Sequence, residues 1–140
     1  MAITQALTAS FKKELLEAIH NLDTDTFYLA LYGPNANINS ATTVYTASGE
    51  TTGSGYAAGG LQLTNLGVTL SGTTAYASWS PATWLSASIS TSGGLIYNAS
   101  KGNRAVAVLN FGGTYTSDGT TPFTVTFPPY TSTTAPVIIY

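Results

Sequence analysis

The hydrophobic period of this chain changes once, close to Thr26, and this change limits the folds that the chain can adopt. Before it, apolar residues recur every four positions, a spacing that places side chains on one face of an α-helix. After it, apolar and polar residues alternate in short runs, as in β-strands. The sequence therefore predicts a single domain over residues 1–140, with an N-terminal amphipathic helix at 4–21 and a β-domain at 26–140.

The predicted helix depends on one apolar stripe. The stripe consists of Ile3, Leu7, Phe11, Leu15 and Ile19, with Leu16 and Leu22 beside it. Thr4 is the predicted N-cap, because a threonine hydroxyl can accept a hydrogen bond from a free amide of the first turn. The charged residues of the segment lie off the stripe and are expected to face water. They are Lys12, Lys13, Glu14 and Glu17.

Short alternating runs between turn residues predict about eight strands, and hence a mainly β fold, a β-sandwich or jelly-roll-like domain. The runs are 27–32, 61–70, 73–79, 84–91, 95–98, 104–111, 123–127 and 137–140, with a brief pairing at 44–46. The step from Leu63 to Leu66 breaks the alternation and predicts a bulge. Turns are predicted at 71–72 and 92–94.

Two connections are long and rich in glycine, residues 50–60 and 112–121. Loops of this length are uncommon inside a compact domain unless they carry a function. We expect these two segments to act as contact arms toward a partner.

The composition favours a protein that works inside an assembly. Only 7% of the residues are charged, against about 25% in an average soluble protein. Hydroxyl side chains take their place, with 24 Thr and 14 Ser. A surface of Thr, Ser, Asn, Gly and Tyr loses little solvation energy on burial, because short hydroxyls pair easily and tyrosine is rigid and amphipathic.

Several classes of function are disfavoured by the same numbers. The net charge is −2 with four basic residues, so no basic stripe is available to neutralise nucleic-acid phosphates. No apolar run approaches the ~18–20 residues of a membrane-spanning helix. Cysteine is absent, which excludes disulfides and thiolate metal sites. The start of the chain lacks the pattern of a signal peptide, so we expect synthesis in the host cytoplasm without Sec export.

No residue pattern indicates catalysis or a cofactor, and we predict no catalytic, cofactor-binding or metal-ligating residue. His20 lies at the end of the predicted helix, where it complements the helix dipole, and no nucleophile motif accompanies it. Asp23 and Asp25 fit a turn in which their side chains bond nearby amides. The alternative is a calcium loop, which needs further oxygen ligands, and Glu50 is too distant in sequence to count.

Three other patterns are weaker still. The six acidic residues include no recognisable glycosidase pair, and the glycines at 53, 55, 59 and 60 precede no Gly-Lys-Ser/Thr phosphate loop. Asn98-Ala99-Ser100 matches a glycosylation sequon that is without meaning in a protein that is not secreted. Trp79, Trp84 and the tyrosines could stack on sugars, although such residues more often fill a small β core.

Segments in order along nearly the whole chain resemble a family of small tailed-bacteriophage virion proteins. They are ITQALTASFKKELLEAIHNL with DTFYLALY, then TTVYTASGETTGSGYAAGGLQL, GLIYNASKGNRAVAVLNFG and the late FTVTFP. The resemblance implies a β-rich particle component, and it carries no site motif from which functional residues could be transferred.

Within a particle, the resemblance implies a capsid cement or decoration protein that bridges major capsid protein subunits at the virion surface. A neck or tail adaptor or ring component is the alternative, and a glycan-binding module is a third reading of a different class. The expected partners are the major capsid protein or neighbouring virion proteins and further copies of the chain, as a dimer or trimer. Neither nucleic acid nor membrane is an expected partner.

Overall fold

The computed structural model describes residues 3–140, and the fold is mainly β with a single α-helix, as predicted. The helix α1 spans Ala9–Leu16. The described residues form ten strands, against the eight or so expected: β1 (Ala6–Leu7), β2 (Phe27–Tyr32), β3 (Leu61–Gln62), β4 (Asn65–Ser71), β5 (Thr74–Trp79), β6 (Ala82–Trp84), β7 (Ser90–Asn98), β8 (Arg104–Thr116), β9 (Phe123–Val125) and β10 (Val137–Ile139).

The helix is shorter than the predicted 4–21. Its N-cap is Thr8, whose hydroxyl accepts a hydrogen bond from the Phe11 amide, and not Thr4. It ends at Leu16, because Ala18 takes a left-handed conformation with φ 59° and turns the chain. A four-residue spacing is also a multiple of the strand period of two. The predicted stripe therefore included residues that are extended in the structure, such as Leu7 of β1.

Five strands form one antiparallel sheet in the order β1-β8-β7-β2-β3. Both of its faces are buried, so consecutive residues of β2 belong to two apolar clusters: Leu29 and Leu31 to one, Ala30 and Tyr32 to the other. A register shift opposite Ile96 and Tyr97 leaves Val106 of β8 as the additional residue of a bulge.

The two glycines of the predicted 92–94 turn lie instead in the middle of β7. A Cβ on Gly93 would lie 2.5 Å from the carbonyl oxygen of Leu109, and one on Gly94 would lie 2.8 Å from Cδ1 of Leu29. Neighbouring strands approach too closely here for any side chain, which explains why glycine, usually a turn residue, is central in a strand.

Two smaller antiparallel sheets complete the β-structure, β10-β5-β4 and β6-β9. The predicted irregularity near Leu66 is confirmed by a register shift between Asn65 and Gly67, and the Ser71-Gly72 hairpin joins β4 to β5. The larger apolar cluster, which contains Phe11 and Trp79, lies between the five-stranded sheet and these two sheets. Among residues 3–140 no helix is long and apolar enough to span a membrane.

Other predicted boundaries also differ. The predicted 84–91 strand is not continuous: Trp84 ends β6, and Ser90 and Thr91 begin β7. Residues 44–46 contribute a single bridge from Val44 to Arg104. Residues 112–116 continue β8, so the predicted loop at 112–121 is wrong over that part.

The segment 50–60 is an irregular connection, as predicted, but it is packed against the domain. A Cβ on Gly53 would lie 2.2 Å from the Ser88 oxygen, and one on Gly60 would lie 1.9 Å from the Leu29 oxygen. The segment is therefore held against the domain, and its role as a contact arm toward a partner stays a prediction.

Candidate functional site

His20 lies in the turn that follows α1, and its side chain is fully buried. Its Nε2 is 2.9 Å from Oε1 of Glu14, and its Nδ1 is 3.0 Å from Nδ2 of Asn98 in β7. The ring packs on Phe11, with 4.9 Å between ring centroids. Since an amide nitrogen only donates, Nδ1 of His20 accepts and the imidazole proton is on Nε2, directed at Glu14.

Glu14 joins this histidine to β8. Its side chain is 10% exposed, and Oε2 accepts a hydrogen bond from Nη1 of Arg104 at 2.6 Å. Burial raises the pKa of the Glu14 carboxyl, but the hydrogen bonds from His20 and Arg104, with the Arg104 charge, lower it, and the pKa lies below its ordinary value. The prediction that Glu14 faces water is therefore wrong, because its partners come from outside the helix.

Asp25 holds the other end of the network. Its Oδ2 accepts from Nδ2 of Asn98 at 2.8 Å and from the Asn21 amide at 2.9 Å, and Nζ of Lys101 lies 3.8 Å from Oδ1. Burial raises the pKa of Asp25, but the bonds from Asn21 and Asn98, with the Lys101 charge, lower it below the ordinary value. Asp23 instead accepts from the Val68 amide. The predicted bond to a nearby amide is thus present for Asp25, whereas Asp23 bonds an amide that is distant in sequence.

The network of Glu14, His20, Asp25, Asn98 and Arg104 is suited to holding the helix on the sheet. In the described part of the chain, His20 has no hydroxyl among its hydrogen-bond partners. Within residues 3–140, no three His, Asp or Glu side chains are arranged to hold a metal ion. Because its polar groups bond one another, the network presents no free acid, base or nucleophile to a substrate.

A second polar cluster surrounds Glu50, which sequence reasoning did not identify. Its carboxylate accepts from the hydroxyls of Tyr45 at 2.5 Å and Tyr56 at 2.7 Å, and from the Gly59 amide at 2.8 Å. Burial and then the nearby Glu50 charge raise the pKa of Tyr97 to about 12. Burial likewise raises the pKa values of Tyr45 and Tyr56 well above the usual range. These phenols stay protonated and fasten the 50–60 segment to the sheet.

A groove of about 1040 Å³ lies between β8 and the segment that contains β9. One wall comes from 109–111 and 115–118, and the other from 121–128. Its apolar lining consists of Leu109, Phe111, Tyr115, Phe123, Val125 and Phe127. Since β8 pairs with β7 and β9 pairs with β6, the two walls are neighbouring strands that do not pair with each other. The alternation of Phe123, Val125 and Phe127 had indicated a strand, but not the gap beside it.

Apolar side chains are also exposed on β4, at an edge of the three-stranded sheet. Val68 is 48% and Leu70 is 72% exposed. The register pairs Val68 with the buried Ala77, whereas Leu70 pairs with Ala75 nearer the hairpin. The apolar face of this sheet therefore extends beyond the core that it covers.

The tryptophans, the sequon asparagine and the glycines considered above all have places in the fold that leave no binding role for them. Trp79 and Trp84 are buried, at 2% and 5% exposure, so neither indole offers a stacking surface. Asn98 of the sequon is fully buried within the network. Gly59 and Gly60 have positive φ in the connection that precedes β3 and open no helix.

No family model matches the chain, and no curated protein or solved structure matches it. The resemblance to phage virion proteins therefore stays a prediction.

Proposed function

We propose that this chain is a non-enzymatic structural component of a tailed-bacteriophage particle, a capsid cement or decoration protein that bridges and stabilises major capsid protein subunits. The observation that carries the proposal is the groove between β8 and β9. Unpaired strand edges along an apolar cleft are a surface for joining another polypeptide.

The state of the ionisable groups supports a role without catalysis. Glu14, His20 and Asp25 bond one another or neighbouring side chains inside the domain, and Glu50 is bonded by two tyrosines and a backbone amide. An active site needs at least one such group directed at a substrate. Both hydrogen-bonded clusters therefore serve as supports for the fold.

The exposed surface supports a role in assembly. Val68, Leu70 and Ile139 are about half exposed or more, on a protein in which 7% of residues are charged. Apolar and hydroxyl surfaces of this kind form interfaces whose stability depends little on ion pairs.

A neck or tail ring is the second candidate. The groove and the exposed face of β4 are different surfaces of the same chain. A contact between two different surfaces of identical copies builds a closed ring or an open filament instead of a two-fold dimer.

Quantitative mass spectrometry of purified virions tests the proposal. We expect hundreds of copies of the chain per particle for a shell protein, and about six or twelve for a neck or tail ring. Particles made without the gene should release their DNA at a lower temperature than complete particles if the chain is cement. Absence of the chain from purified particles would overturn the proposal.

A further inference from the structure

We propose that Asp118 and Gly119 form a site of spontaneous covalent modification, at which the Gly119 nitrogen closes a ring on the Asp118 side chain and the aspartate becomes isoaspartate. The reaction takes place only while residues 117–121 are detached from the domain, so the folded chain holds the site inactive. This chemistry belongs to the chain itself and does not depend on the proposed function.

The sequence contains the reactive pair once. Asp118-Gly119 is the only position at which an aspartate or an asparagine precedes a glycine. Glycine has no Cβ, so no side chain shields its amide nitrogen from the residue before it. The ring has five members, and two groups of one chain held this close react far more readily than two separate molecules. Asp118 is also exposed, so water can reach the ring once it has formed.

Water is the only other reactant. The Gly119 nitrogen bonds to Cγ of Asp118 and loses its proton, and one carboxyl oxygen leaves as water. A second water then opens the resulting succinimide at one of its two carbonyl carbons. Opening at Cγ restores aspartate. Opening at the main-chain carbonyl leaves the chain running through Cβ and Cγ, with a free α-carboxylate, and this product is isoaspartate. One water leaves and one enters, so neither an oxidant nor a reductant takes part.

The attacking nitrogen is held by the strand beside it. The Gly119 amide donates to the Ala87 oxygen at 3.0 Å, and the Ser117 amide donates to the Ile89 oxygen at 2.9 Å. The Ser117 hydroxyl donates to the same Ala87 oxygen at 2.5 Å. Because its N–H is bonded to Ala87, the Gly119 nitrogen cannot come within bonding distance of Cγ until this part of the segment opens.

The carboxylate is held from the other side. Oδ1 of Asp118 accepts from the Thr120 amide at 2.9 Å, from the Thr120 hydroxyl at 2.8 Å and from the Thr121 amide at 3.1 Å. These bonds, those from Thr120 first, lower the pKa of the Asp118 carboxyl below its ordinary value and favour its ionised form. An ionised carboxylate reacts poorly, because the departing oxygen must leave as water. Both reacting groups are therefore inactive while the segment is closed.

Isoaspartate prevents the segment from closing again. The amides of Ser117 and Gly119 bond Ile89 and Ala87 at alternate residues, which is the spacing of paired antiparallel strands. Isoaspartate places one additional main-chain atom between these two amides. The two bonds then fall out of register and cannot form together. The modification thus converts a reversible local opening into a lasting one.

The test compares the full chain with an acetylated and amidated peptide of residues 114–122 during prolonged incubation at neutral pH. An endoprotease that cleaves before aspartate, but not before isoaspartate, measures the reaction. Asp118 is the last aspartate, so this cleavage releases residues 118–140 from the unmodified chain. We expect the folded chain to lose the cleavage at least about tenfold more slowly than the peptide, which requires the segment to be open for at most about a tenth of the time. The chain unfolded in guanidinium chloride should react as fast as the peptide.

A serine variant relates the reaction to opening of the segment. Ser117→Ala removes the hydroxyl bond to Ala87 and leaves the Asp118-Gly119 pair intact. Ser48→Ala, at an exposed residue of another segment, is the matched control. Hydrogen exchange of the Gly119 amide measures the open fraction in each chain. The rate of modification should equal the rate in the peptide multiplied by that fraction, and it should rise in Ser117→Ala alone.

A glutamate variant tests the consequence of the reaction. Asp118→Glu would have to close a six-membered ring and should form little of it. After the same incubation, the Ser117 and Gly119 amides should exchange faster in the modified wild-type chain but not in Asp118→Glu. Isoaspartate formed as fast in the folded chain as in the peptide, a rate unrelated to exchange of the Gly119 amide, or a peptide that forms none would each overturn the proposal.

Discussion

Nε2 of His20 lies 2.9 Å from Oε1 of Glu14, although residues six apart on a continuous helix point in different directions. The contact exists because α1 ends at Leu16 and Ala18 reverses the chain, which returns His20 to the helix. The amide of Ile19 also donates to the backbone carbonyl oxygen of Glu14, at 3.0 Å. A short helix and a buried ion-paired network are therefore parts of one arrangement.

Replacing Glu14 with glutamine should lower the free energy of unfolding by about 2–3 kcal/mol, because charged hydrogen bonds to His20 and Arg104 are lost in a largely buried site. Glu17→Gln on the same helix is the matched control. Its partner Lys13 is an exposed residue, so the change should stay below about 0.5 kcal/mol. Urea denaturation measures both variants, and equal losses would contradict the role of the network.

Stability should fall in acid. The pKa values of Glu14 and Asp25 are lower in the folded chain than their ordinary values of 4.5 and 3.8. The unfolded chain therefore binds protons more readily, so these carboxylates stabilise the fold fully above about pH 4.5 and lose that contribution as pH falls through their folded pKa values. Urea denaturation at about pH 7, 4.5 and 3 should show this decline.

The double variant Glu14→Gln with Asp25→Asn should have a flatter dependence on pH over the same range. Some dependence should remain, because hydrogen bonds from Thr120 and Thr121 also lower the pKa of Asp118. An undiminished decline in the double variant would show that other groups cause the acid sensitivity.

Phe11 and Leu16 belong to the same apolar helix pattern but have opposite environments. Phe11 is fully buried and Leu16 is 92% exposed. Phe11→Ala should cost about 3–5 kcal/mol, as a large cavity would remain in the core. Leu16→Ala should change the free energy of unfolding by less than about 0.5 kcal/mol. Thermal or urea unfolding of the pair checks this, and a costly Leu16→Ala would mean that another surface covers the helix.

Gly60→Ala should destabilise the fold by about 1–3 kcal/mol or prevent folding, because φ is +86° and the new Cβ would overlap the Leu29 oxygen. Gly113→Ala is the control, since its φ is not positive and its Cβ would meet no atom within 4 Å. Circular dichroism melting compares the two. A tolerated Gly60→Ala would show that the backbone of 50–60 is not held tightly against β2.

Attachment to a particle should survive about 1 M NaCl. At that concentration the Debye length is about 3 Å, so exposed ion pairs are screened, whereas apolar burial is not weakened. Moderate urea should release the chain. Sedimentation of washed virions followed by gel electrophoresis measures both. Release of most copies by salt alone would give the four basic residues a role that the proposal denies them.

The sequence predicted local features well and distant ones poorly. The range of β2 and the Ser71-Gly72 hairpin depend on alternation and turn chemistry over a few residues, and both are confirmed. Burial of Glu14 depends on Arg104, ninety positions away, and no local pattern signals that contact. The groove was equally hidden, because the run from Phe123 to Phe127 identifies a strand but does not show that one of its edges is unpaired.

The charged residues around the end of α1 have a consequence for how copies of the protein behave together. Eight of the ten charges lie at 12–25 and 101–104, four positive and four negative, and they cancel locally. The net charge of −2 thus comes from Glu50, whose carboxylate is hydrogen-bonded by two tyrosines, and from Asp118. The molecule consequently projects almost no long-range electric field. Copies held at high local density would experience little mutual repulsion, so shape and hydration would set their spacing at any ionic strength.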